Sequence, residues 1–170
     1  MSSDEKKIYI HYGSSEFDKE KFVPIKNGNL ESKPFGGLWA SPVDSKFGWK
    51  DWCENEEFRL DDFSSSFSFV LSDDARVLHL RSGKDIDELP RYNYLTCFSG
   101  DPRYTFMCID FEALMKDYDA VEVHLSEDSP CGYDDGLYWR MYGWDCDSIL
   151  IMNPDVVITV SGRYKLEEST

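Results

Sequence analysis

The stretch that most constrains the fold is Asp147-Ser148-Ile149-Leu150-Ile151-Met152, closed by the turn signal Asn153-Pro154-Asp155. Its apolar run has no polar alternation, so it cannot lie half-exposed. It predicts a short strand covered on both faces, in the middle of a sheet. Residues 119–125 (Asp-Ala-Val-Glu-Val-His-Leu) alternate apolar and polar, as a strand with one distinct face does. Residues 7–12, 36–40 and 156–160 also read as strands. Residues 67–71 and 76–80, separated by Ser72-Asp73-Asp74, read as a hairpin.

Helical signals are short and inserted. Asp44 or Ser45 can cap a helix over 46–58, on which Trp49, Trp52 and Cys53 share a face. Asp110 can cap another over 111–117, and a third is expected over 137–142. Residues 16–25 fit a short helix or a loop, 126–135 fit a loop, and 91–104 carry no assignable pattern. The fold class is therefore α+β, with mixed, mainly antiparallel strands and short inserted helices. It is not a doubly wound sheet. His79 and His124 fall inside strand patterns and read as structural.

The chain has 170 residues, 41% apolar and 15% aromatic, which suits one domain over 1–170 with a real core and a charged tail from about 165 that frays. No apolar run reaches the length of a membrane span, and the first residues lack a signal-peptide core. The expectation is a cytoplasmic protein. Cys53, Cys97, Cys108, Cys131 and Cys146 are odd in number and form no CxxC, which argues against a disulfide framework and a structural zinc site. A net charge of −15 repels phosphate backbones, so direct binding of nucleic acid is disfavoured; the charge fits either solubility alone or a protein partner with a basic surface. No GxGxxG or GxxxxGK[ST] motif occurs.

The stretch Phe35-Gly36-Gly37-Leu38-Trp39-Ala40-Ser41, followed by Trp49 and Trp52, places glycine-exposed backbone beside flat aromatic rings. Such a wall suits a planar, polar ligand; equally, the tryptophans can be core and the glycines a turn.

Three stretches then fall in order: His11-Tyr12-Gly13-Ser14 ending the first strand, Gly36 to Ser41 with its Trp-rich helix, and Asp147 opening the apolar strand that ends in Asn153-Pro154. In this order they resemble the ADP-ribosyltransferase superfamily, in its diphtheria-toxin and poly-ADP-ribose-polymerase branch. Asp147 stands where that branch carries Glu, Tyr12 intervenes between His11 and Gly13, and Trp replaces Tyr at the stacking positions. The resemblance implies a split-sheet core and NAD as substrate. It implies that His11 bonds a ribose hydroxyl, that the backbone of Gly13 holds the nicotinamide amide, and that Trp39, Trp49 or Trp52 stacks on the nicotinamide ring. Tyr12, Gly37 and Ser41 would complete the cleft. Asp147, with Asp145 as the alternative acid, would stabilise the oxocarbenium-like centre as the glycosidic bond breaks. The function so implied is mono-ADP-ribosylation of a protein target by a toxin-like or immune-antagonist effector. Two alternatives are a non-catalytic acidic inhibitor of the same fold and an NAD glycohydrolase.

Overall fold

The computed structural model describes residues 5–28, 32–95, 105–126 and 136–161. Seven strands form one sheet: β1 (Tyr9–Tyr12), β2 (Leu38–Pro42), β3 (Ser66–Leu71), β4 (Val77–Leu80), β7 (Ala120–Val123), β8 (Ser148–Ile151) and β9 (Val157–Val160). Their order is β4-β7-β8-β2-β1-β3-β9. Only β4 and β7 run parallel; every other neighbouring pair in that sheet is antiparallel. A separate antiparallel pair joins β5 (Arg91–Leu95) to β6 (Thr105–Ile109). The helices are short: α1 (Trp49–Glu56), α2 (Gly83–Asp87), α3 (Phe111–Leu114) and α4 (Leu137–Arg140). The class is α+β with a mixed, mostly antiparallel sheet, and no helix among the described residues is long and apolar enough to cross a membrane.

β8 is internal, between β7 and β2, and all four of its residues are buried. Its register pairs Ile149 with Ala40 and with Glu122, and Ile151 with Leu38 and with Ala120. These residues share one face with Tyr9 and Phe69, and form one core there with Val156. The other face carries Val121, Val123 and Leu150, which pack with Ile86 of α2, Phe111 and Leu114 of α3, Leu137 of α4 and Trp144. A continuous apolar strand is thus explained by a core on each side of it.

The expected hairpin of 67–71 with 76–80 does not form. β3 pairs with β1 and β9, whereas β4 pairs with β7 at the far edge. In a flat sheet β3 and β4 would stand five strand spacings apart, about 24 Å at ~4.8 Å each. The six Cα steps from Leu71 to Val77 reach about 22 Å at full stretch, and the turn at Ser72–Ala75 (N–H···O 3.1 Å) shortens them. The sheet therefore curls on itself, so that strands far apart in its order enclose the Tyr9–Phe69–Ile149 core.

Local boundaries follow from caps. α1 begins later than expected, at Trp49, because the Ser41 hydroxyl accepts its N–H (2.9 Å) while the Asp51 carboxylate accepts that of Gly48 (2.9 Å). It ends where Glu57 turns left-handed (φ 52°) and Phe58 N–H returns to Cys53 O (2.9 Å). Asp110 caps α3 as expected, accepting from Ala113 N–H at 3.0 Å. The expected loop at 126–135, apart from Ser126, and the tail from 165 lie outside the described residues, as do Cys97 and Cys131. Cys53, Cys108 and Cys146 are buried.

Candidate functional site

β1 and β2 pair only through Tyr9–Pro42 and Ile10–Ser41. At the next residue the strands part, and the His11 side chain bridges the opening: its Nδ1 lies 2.7 Å from Trp39 O. A carbonyl oxygen can only accept, so Nδ1 carries the proton and Nε2 is the ring's remaining nitrogen for a partner. The ring also leans on Phe67, 5.1 Å between centroids. His11 thus lies where the pairing of β1 with β2 ends.

On the turn that follows β2, several of the expected residues are tied together. Ser41 holds Trp49 N–H, Ser45 Oγ donates to Asp147 Oδ2 (2.7 Å), and Asp147 N–H donates to Phe47 O (3.0 Å). Tyr12, on the same face of β1 as Ile10, faces α1. Burial raises its hydroxyl pKa above the usual value, and Asp51 and Glu54 of α1 add to the shift. Trp49 and Trp52 stack on one another (5.2 Å, 14°), and both meet Phe58 edge-on. Trp39 meets Trp144 edge-on at 4.7 Å, and the Lys33 ammonium lies over its ring at 4.8 Å.

The strand alternation divides the expected cleft. His11 projects with Tyr9 and Phe67, whereas Tyr12, Trp39 and Ser41 project to the opposite face, so only the backbone at Trp39 joins the two groups. The glycines also separate. Gly13 sits at the surface with φ 103° and open space where a Cβ would stand, and its N–H is taken by Ser65 O (3.0 Å). At Gly37 packing by itself requires glycine. A Cβ there would lie 2.5 Å from Leu150 Cδ1 and 2.8 Å from Ile151 O, and its N–H already donates to Val23 O (2.8 Å).

Asp147 is the most committed side chain of the group. Its Oδ1 accepts Leu125 N–H (2.7 Å) and Ser126 N–H (2.8 Å), and its Oδ2 accepts the hydroxyls of Ser45 and Ser126. It is buried. The carboxylate clamps the segment after β7, the turn after β2 and the start of β8. Asp145, two residues earlier, is half-buried with a left-handed backbone (φ 63°). Between them, burial pushes the Cys146 thiol up to about 11, with the two aspartates adding to the effect, so it is no thiolate at neutral pH.

A second constellation was not expected from the sequence. Glu122, fully buried on β7, accepts Tyr9 OH at 2.8 Å and pairs with the Lys7 ammonium. His79 is its register partner on β4, and His124 follows on the same face. The pair Glu122-x-His124 is visible in the alternation of 119–125. His79 is not, because a parallel β4–β7 neighbour has no local signal. Compared with protein-family models, curated proteins and solved structures, the chain finds no match.

Proposed function

We propose that this protein transfers ADP-ribose from NAD to a protein target, with the split at His11 as the mouth of its cleft. The observation that carries the reading is the parting of β1 from β2 at His11. β2, with α1 after it, lies between β1 and β8 in the sheet, and the entry to β8 falls on the Ser41 side of Ala40, toward the start of β1. Fixing Nδ1 on Trp39 O leaves Nε2 to accept a ribose hydroxyl of NAD. The tryptophans of α1 offer a flat apolar surface to nicotinamide. In the reaction the bond between nicotinamide and ribose C1′ breaks and nicotinamide leaves with the electron pair. The acceptor's nucleophile then bonds C1′ and gives up its proton. A carboxylate beside C1′ stabilises the positive charge that develops, and Asp147 or Asp145 is the acid at that end of β8. The acidic surface favours a target with a basic face.

One observation favours a second reading, a non-catalytic binder of the same fold. The Asp147 carboxylate is already saturated by its four donors, so it meets substrate only if a serine hydroxyl swings away.

The test is nicotinamide release and transfer of labelled ADP-ribose to lysate proteins. Wild type is expected to do both, and Asp147→Asn, which keeps the acceptor oxygen for Leu125 and Ser126, is expected to lose turnover while staying folded. Turnover lost in Asp145→Asn but kept in Asp147→Asn would move the acid to Asp145. Absence of nicotinamide release from wild type ends the enzymatic reading, and release without any labelled acceptor identifies a glycohydrolase.

A further inference from the structure

We propose that His79, Glu122 and His124 form a binding site for a divalent transition-metal ion, with zinc the ion of choice. His79 and Glu122 lie on the adjacent strands β4 and β7, His124 follows directly after β7, and one ligand atom from each lies within 4.8 Å of the others. His79 Nδ1 and His124 Nε2 are 3.0 Å apart. Glu122 Oε2 is 3.6 Å from His79 Nδ1, and Oε1 is 3.9 Å from His124 Nε2. With metal–ligand bonds of about 2.0–2.2 Å, tetrahedral ligand atoms stand roughly 3.4 Å from one another. The two Glu122 distances run to its two different oxygens; with one atom from each residue the three lie within 4.8 Å, so the group surrounds one ion once the side chains close in modestly.

The donor set is as informative as the spacing. Two imidazoles and one carboxylate suit zinc and its neighbours in the first row, not magnesium or calcium, which prefer all-oxygen sites. The strands fix the ligands. His79 and Glu122 are register partners, and His124, one residue past the end of β7, is held by its N–H on Leu80 O (3.0 Å). Tyr9 OH and the Lys7 ammonium, bonded to the Glu122 oxygens, are the outer partners that hold a ligating carboxylate in place. His124 and Glu122 are buried, but the His79 side chain is 42% exposed, so an ion has a way in and a position remains for water or another ligand. None of these residues takes part in the proposed NAD chemistry, so the two readings fail independently.

In the metal-free protein, the 3.0 Å contact is a hydrogen bond between one donor and one acceptor nitrogen. The experiment separates that pair from a metal site. Chelator-treated protein is titrated with zinc chloride by calorimetry and followed by thermal unfolding. Cobalt is substituted so that the visible spectrum distinguishes imidazole and carboxylate ligands from thiolates. The expected result is one equivalent of zinc bound, a rise in Tm, and a cobalt spectrum without thiolate ligation. His79→Ala, on the exposed side and so compatible with folding, should weaken zinc by at least about tenfold and abolish the Tm rise. Glu122→Gln should weaken it as well. Three results would each overturn the proposal: no zinc bound to wild type, thiolate ligation of cobalt, or zinc affinity unchanged in His79→Ala.

Discussion

At the scale of single residues, the two most heavily bonded carboxylates are structural joints, and they differ in what removing them should do. Replacing Asp147 by Ala leaves two N–H groups and two hydroxyls without their acceptor in a buried place. Charge-assisted hydrogen bonds of this kind are worth ~1.5–3 kcal/mol each, so Asp147→Ala should destabilise by about 3 kcal/mol or more in urea unfolding, and Asp147→Asn by clearly less. Any loss of activity in the alanine variant therefore has to be read against its folded fraction. Asp119 is the second joint. It accepts Arg76 N–H (2.9 Å), the Arg76 guanidinium (3.2 Å) and Asn153 Nδ2 (3.0 Å). The hydrogen bond from the Arg76 side chain is the main cause that holds its carboxyl down at about 2. A carboxyl with a folded-state value below its ordinary one near 4 contributes stability that is present above pH ~4 and lost as pH falls toward 2. Acid unfolding should show this loss between pH 4 and 2, and Arg76→Ala should flatten it, most simply followed by Trp fluorescence.

At the scale of elements, Gly37 and Gly13 make a matched test of the reading that glycines here serve a ligand. Both have positive φ (73° and 103°), so alanine is strained at each by ~1 kcal/mol or more. Only Gly37 adds a collision, with Leu150 and the backbone of Ile151, which should bring Gly37→Ala to about 3 kcal/mol or more by denaturant midpoint. Gly13→Ala should stay near the strain term, so a loss of NAD turnover there would report on the cleft and not on folding. The same elements show what could be read from the sequence. β8 was legible because a run such as Ile149-Leu150-Ile151 demands cover on both faces, whatever its partners are. Asp110 was legible as a cap because capping is local. The β3–β4 hairpin was misread because a short polar turn signals reversal, and nothing local reveals that the sheet curls to bring its far edge within reach. The site has the same division. Ser41 holds Trp49 N–H, and Asp147 is tied to the same segment through Ser45 and Phe47. The opposite facing of His11 and Trp39, the saturation of Asp147 and the approach of His79 to Glu122 depend on register between distant strands.

At the scale of the whole molecule, a net charge of −15 acts on any partner before contact. If the target is a basic protein, its association rate should fall by roughly tenfold or more between low salt and 0.5 M, where the Debye length shrinks to only a few ångströms. Surface plasmon resonance with captured lysate partners would measure it. A salt-independent rate would mean that apolar contacts, and not the acidic surface, govern recognition.

The place of β8 between β2 and β7 has a consequence for how the chain is made. β1, β2 and β3 can pair once the first 71 residues are available, but β2 and β7 each wait for residues 148–151 to cover their remaining edge. On the ribosome, residues up to 147 therefore emerge before the strand that joins β2 to β7. During that interval β2 and β7, and also β3, whose outer edge waits for β9, present unpaired backbone, the condition under which chains aggregate or recruit holding chaperones. A nascent chain stalled before residue 148 should cross-link to such chaperones, and one stalled long enough after residue 160 to clear the exit tunnel should not.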